Sequence, residues 1–103
     1  MGDGSPMSEI HSLENKSTRE LLRATLERFG PVPQTMKAIE EMAELIKELS
    51  KDINDHLSNN APVIDEIADV QITLWQMQIL YGVDSVQDRI QFKLNRLKER
   101  MNH

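Results

Sequence analysis

Two acidic clusters carry most of the chemistry available to this chain. Glu40, Glu41 and Glu44 fall within one short stretch, and Glu66 and Asp69 follow after 21 intervening residues. Spacings of three and four place such carboxylates on neighbouring turns of a helix, so each cluster shares one helix side. Two helices packed together would bring up to five carboxylates face to face, and like charges that close repel unless they are protonated or neutralised. A divalent cation relieves that repulsion. All the candidate ligands are hard oxygens with no Cys in the chain and no His close by in sequence, a donor set that selects Mg²⁺, with Mn²⁺ as a substitute, over zinc. Mg²⁺ in turn brings phosphates. Acidic groups at these spacings also form ordinary solvated helix faces, and Glu40, Glu41 and Glu44 lie opposite the main apolar stripe of their own segment. Against this, Glu66 and Asp69 occupy the only polar slot in a broadly apolar segment, where charge needs a partner. The residues alone leave both readings open.

Four helices are expected to position these groups. Ser17-Thr18-Arg19-Glu20 reads as a capping box that opens a helix through Leu21, Leu22 and Leu26 to Phe29, where Gly30 and Pro31 end it. Pro33 suits the first turn of a second helix, whose Met36, Ile39, Ala43 and Ile46 recur every three or four residues as far as about Lys51. Residues 53–61 carry turn chemistry and read as a polar loop. Pro62 opens a third helix that Gly82 stops after Tyr81, and Asp84 or Ser85 caps a fourth bearing Val86, Ile90, Leu94, Leu97 and Met101. At about 100° per residue, the third helix spreads Ile64, Ile67, Val70, Ile72, Leu74 and Ile79 around more than half its circumference. One chain of four helices can barely surround such a helix, so a homodimer or homotetramer is expected.

Composition sets the outer bounds. The 103 residues make one domain, with few Gly, Pro and aromatic residues against many helix formers, which points to an all-α fold. Residues 1–16 read as a disordered or expression-derived leader, with a second start at Met7, and residues 17–103 as the folded domain. The net charge of −5 excludes a general phosphate-backbone binder, so no nucleic acid partner is expected. The absence of Cys removes disulfides, thiolate zinc sites and cysteine nucleophiles. There is no run of roughly 18 apolar residues, so no membrane partner and a cytoplasmic location are expected.

The pattern Glu40-Glu41-x-x-Glu44 followed by Glu66-x-x-Asp69 resembles the signature of the all-α nucleotide pyrophosphohydrolases, the superfamily of MazG proteins, dimeric dUTPases and phosphoribosyl-ATP pyrophosphohydrolase. The resemblance spans roughly residues 17–100 and extends to Gln34 ahead of the acids, Leu45 after the third, and a basic fourth helix with Lys93, Arg96 and Arg100. It implies an all-α, four-helix MazG-like bundle working as a dimer or dimer of dimers. It further implies that Glu41, Glu44, Glu66 and Asp69 bind Mg²⁺, that Glu40 and Glu41 take part in catalysis, and that Lys93, Arg96 and Gln34 meet the substrate. The implied reaction converts a (d)NTP, a purine or non-canonical nucleotide among the candidates, to (d)NMP and pyrophosphate. Two alternatives stand beside it: a non-catalytic helical oligomerisation or partner-binding module, and phosphoribosyl-ATP hydrolysis. Trp75 and Phe29 read as core rather than base-stacking groups. His11, His56 and His103 lie far apart without acidic partners and are assigned no role.

Overall fold

Between Phe29 and Pro31 a single residue, Gly30, turns the chain, and between Tyr81 and Val83 Gly82 does the same. Both have positive φ, 89° and 120°, where a side chain would be strained, and their N–H groups close the preceding helices on Leu26 O and Gln78 O. These breaks organise the computed structural model, which describes residues 11–55 and 60–103, into α1 (Lys16–Phe29), α2 (Pro31–Asp55), α3 (Ala61–Tyr81) and α4 (Val83–Met101). The chain is all-α: no strand occurs among the described residues, and no helix there is long and apolar enough to cross a membrane.

The helix ends differ from the sequence reading at the start of α1, at both ends of α2 and at the start of α4, each for a local reason. Asn15, not Ser17, caps α1, its Oδ1 accepting from the Thr18 amide at 3.0 Å, so the helix starts two residues earlier than the expected capping box implies. Helix α2 begins at Pro31, whose missing amide costs nothing at a helix start, and continues past Lys51 to Asp55 because Ile53 prolongs the seven-residue repeat of Ile39 and Ile46. Most of the loop expected at 53–61 is thereby taken up by α2 and α3 or falls at residues 56–59, outside the described residues. Neither Asp84 nor Ser85 caps α4, since Gly82 occupies that position, and Asp84 instead lies in the first turn, where its charge favours the helix dipole. Of the N-terminal segment 1–16, residues 1–10 lie outside the described residues. Leu13 is buried, and its carbonyl accepts from Arg19 Nη1 at 2.9 Å, holding the approach to α1.

Helix α3 lies at the centre, touching α1, α2 and α4, with its most extensive contact on α2; α4 touches α3 alone. Helices α2 and α3 run antiparallel. Thr35 Oγ1 lies 3.8 Å from Met77 Sδ, and farther along α2 Glu41 stands opposite Glu66 and Asp69, earlier on α3.

The rotation of α2 departs from the sequence reading. Its face toward the protein interior carries Gln34, Ala38, Glu41 and Leu45, with Ala38 only 1% exposed. The apolar stripe of Val32, Met36, Ile39, Ile46 and Ile53 is exposed instead. Glu41 is therefore not on a solvated face, whereas Glu40 and Glu44 are exposed. The apolar core is correspondingly small, with Leu13, Leu22, Ala38 and Val70 as its buried members among the described residues. Ile64, Ile67 and Ile72 of α3 also stay exposed, so one chain does not surround this helix. The radius of gyration, 16.6 Å, exceeds the roughly 13 Å of a compact domain of this length.

Candidate metal centre

Ala38 and Glu41 are one helical turn apart on α2, so the residue that brings the backbone close to α3 also aims Glu41 inward, where it is 8% exposed. Opposite it, Glu66 and Asp69 are one turn apart on α3 and half-buried. One carboxylate oxygen from each of Glu41, Glu66 and Asp69 falls within 4.8 Å of the others. Glu66 Oε2 is shielded from solvent and has no hydrogen-bond partner among the described residues. Burial pushes the Glu66 carboxyl above its ordinary range, and the charges of Glu41, Asp69, Glu44 and Asp65 push it further the same way.

Among the described residues, the cation that pairs with the cluster comes from α2 itself, one turn before Glu41. Lys37 Nζ lies 3.4 Å from Glu41 Oε1 and 3.3 Å from Glu40 Oε1. Those two contacts raise the lysine above its ordinary value and keep it charged. Glu40 is thus drawn outward onto Lys37 and is exposed. Glu44, also exposed, stands outside the group of three, although its charge reaches Glu66. The fit for a hard divalent cation is good: three carboxylates converge from two facing helices, and one of them, Glu66, carries a shielded oxygen without a hydrogen-bond partner among the described residues.

A cavity of about 420 Å³ opens beside the acids. Glu41 and Asp69 line it together with Gln34 and Lys37, so the expected Gln34 is brought to the carboxylates. Phe29 lines it as well and is half-exposed there rather than packed in the core. Trp75 is half-buried and faces a different cavity, at the end of α3 near Arg19 and Arg23.

Lys93 and Arg96 are not brought to the acids within one chain. Both are exposed on α4, which does not touch α2, and the Arg96 guanidinium sits 5.9 Å from the Phe92 ring centre of its own helix. The structure also places groups that the sequence reading passed over. Thr73 and Gln76 are buried on α3, four and seven residues beyond Asp69 and so on its side of the helix. Polar residues recurring at that spacing in an otherwise apolar helix were the available signal. Lys37, four residues before Glu41, was legible in the same way.

Comparison of the chain with family models, curated proteins and solved structures finds no match.

Proposed function

We propose that this chain is a Mg²⁺-dependent nucleotide pyrophosphohydrolase that converts a nucleoside triphosphate to a monophosphate and pyrophosphate. The observation that carries the reading is the buried, unpartnered Glu66 Oε2 set against Glu41 and Asp69. A structural helix contact gains nothing from three converging carboxylates, and a lone buried charge is costly without a counter-ion. The resemblance of both acidic motifs to the MazG-like pattern supports the same conclusion from the sequence side.

Glu41, Glu66 and Asp69 would hold the ion, with Glu44 one turn beyond Glu41 as a further oxygen donor. An ion held there would supply positive charge against the phosphates and toward the attacking water. The chain's own groups do the rest. Lys37, charged and lining the cavity beside Glu41, offers a point charge to a phosphate oxygen. Glu41, on the cavity wall, is available to accept a proton from the attacking water, and Glu40, outside the wall, acts only through Lys37, which it holds at 3.3 Å. Gln34 presents an amide on the cavity wall. Lys93 and Arg96 reach a substrate only if another copy supplies them, which fits the self-association that the exposed stripe of α2 favours.

The test is product analysis with Mg²⁺, or Mn²⁺ in its place, across the canonical NTPs and dNTPs and phosphoribosyl-ATP, separating monophosphate plus pyrophosphate from diphosphate plus phosphate. Pyrophosphate release that disappears in Glu41→Gln is expected. The exposed apolar stripe of α2 favours a second reading, a non-catalytic helical module that assembles with itself or a partner. That module predicts no turnover of any nucleotide and no effect of Mg²⁺ on thermal stability.

A further inference from the structure

Gln76 is 6% exposed, yet it lines the same cavity as Glu41 and Asp69. Its Nε2 donates to Thr25 Oγ1 at 2.8 Å, and Thr25 Oγ1 in turn donates to Leu22 O at 2.7 Å. The direction of this chain is forced. A backbone carbonyl only accepts, so the one hydroxyl proton of Thr25 is committed to Leu22, and Thr25 can only accept from the glutamine. The amide therefore cannot be turned over, and its oxygen is fixed on the side away from Thr25. Gln76 Oε1 accepts no hydrogen bond from any described residue and is not among the fully shielded polar atoms.

Gln76 stands seven residues beyond Asp69 on α3, which is two turns and about 10 Å along the same helix side. That distance is of the order that separates the phosphates of an extended nucleotide from the far edge of its base. Phe29 and Ile72 supply apolar wall between the two ends, suited to a flat ring, and about 420 Å³ is the size of a small-ligand pocket.

We infer that Gln76, oriented by Thr25, is the base-reading group of this cavity, and that it selects nucleotides whose base places an amino group against the fixed Oε1 over the keto analogues. An amino group there donates to Oε1. A keto oxygen at the same place sets two acceptors against each other and leaves a buried carbonyl unpaired, a mismatch that discriminates about tenfold to a hundredfold. Thr25 is a positioning residue: it acts only by preventing the amide from rotating. The inference rests on the hydrolase reading only in taking the acidic end as the phosphate end.

The test compares dATP with dITP and dCTP with dUTP, with Mg²⁺, in the wild type, Gln76→Leu and Thr25→Val. In the ring class that turns over, kcat/KM for the amino nucleotide is expected to exceed that of its keto partner at least about tenfold. Thr25→Val, close in size and still holding Gln76, is expected to bring the ratio toward one by freeing the amide, a change that loss of packing alone would not produce. A wild-type ratio near one, a keto preference, or a ratio that survives in Thr25→Val overturns the inference while leaving the hydrolase in place. If no nucleotide is hydrolysed, the hydrolase reading fails, and the same four intact nucleotides report on Gln76 through thermal shifts. An amino preference lost in Thr25→Val then still supports the base reader, and equal or absent binding overturns it.

Discussion

Replacing Glu66 with glutamine keeps the side chain's size and removes one negative charge. In metal-free protein the Glu66 carboxylate is disfavoured by burial and by Glu41, Asp69, Glu44 and Asp65, and its Oε2 has no partner among the described residues. Glu66→Gln is therefore expected to melt at a higher temperature than the wild type in EDTA. With Mg²⁺ the order reverses, because the wild type has three anionic oxygens within 4.8 Å to offer the ion and the variant has two. A Kd of about 0.1 mM gives about 2.7 kcal/mol of stabilisation at about 10 mM Mg²⁺. For a chain of this size that is a rise of about 11–22 °C in Tm. If losing one ligand weakens binding about a hundredfold, about 0.4 kcal/mol remains, a rise of about 2–3 °C. Scanning fluorimetry of both proteins in EDTA and across a Mg²⁺ series reads both signs. A variant that melts below the wild type in EDTA and gains as much from Mg²⁺ would refute the argument that these carboxylates form a cation site.

The other predictions concern pH, the core and the exposed stripe. Glu66 is raised above its ordinary value of 4.5 in the folded chain, so the fold binds more protons than the unfolded chain, and the Glu66 contribution to metal-free stability falls as pH rises through the raised value. Lys37, raised above 10.5 by Glu40 and Glu41, stays charged over that interval. Melting in EDTA and in Mg²⁺ from about pH 4.5 to about pH 8 should thus show a Mg²⁺ gain that grows with pH, and a gain independent of pH would contradict it. Leu22, 5% exposed on α1, is one of few buried aliphatic side chains, and Leu22→Ala is expected to cost about 2–5 kcal/mol in urea denaturation. A loss well under 1 kcal/mol, about what a surface site gives, would show that α1 is not held through this residue. Ile46→Lys places charge in the middle of the exposed α2 stripe and is expected to lower the mass measured by light scattering while leaving helix content intact. An unchanged mass would remove α2 from the self-association surface.

Much of the fold was legible because its determinants are local. Gly30 and Gly82 end helices whatever surrounds them, since their positive φ suits no other residue as well. Asp69 and Glu66 had to share a side of α3, because helical spacing alone puts them there. The start of α1 was misplaced by two residues because Asn15 and Ser17 are both good caps, and only the path of residues 11–15 chooses between them.

What periodicity cannot say is which face meets which neighbour. The sequence divides α2 into an apolar stripe and an acidic side, and the ordinary assumption buries the stripe. The tertiary structure instead turns Ala38 and Glu41 toward α3 and leaves Ile39, Ile46 and Ile53 outside. Burying Glu41 against Glu66 and Asp69 is acceptable where a cation offsets their repulsion, and exposing the stripe is acceptable where another apolar surface covers it, and neither condition is written in a single helix's pattern. The same limit applies to Gln76: its spacing from Asp69 is local, but the hydroxyl that fixes its amide comes from Thr25, 51 residues earlier. Sequence by itself determined the helices, their breaks and the carboxylates each side presents, because those follow from backbone geometry within a few residues. Only the packing of α1, α2 and α3 decided which carboxylates converge and what the cavity beside them presents, because those depend on contacts between residues far apart in the chain.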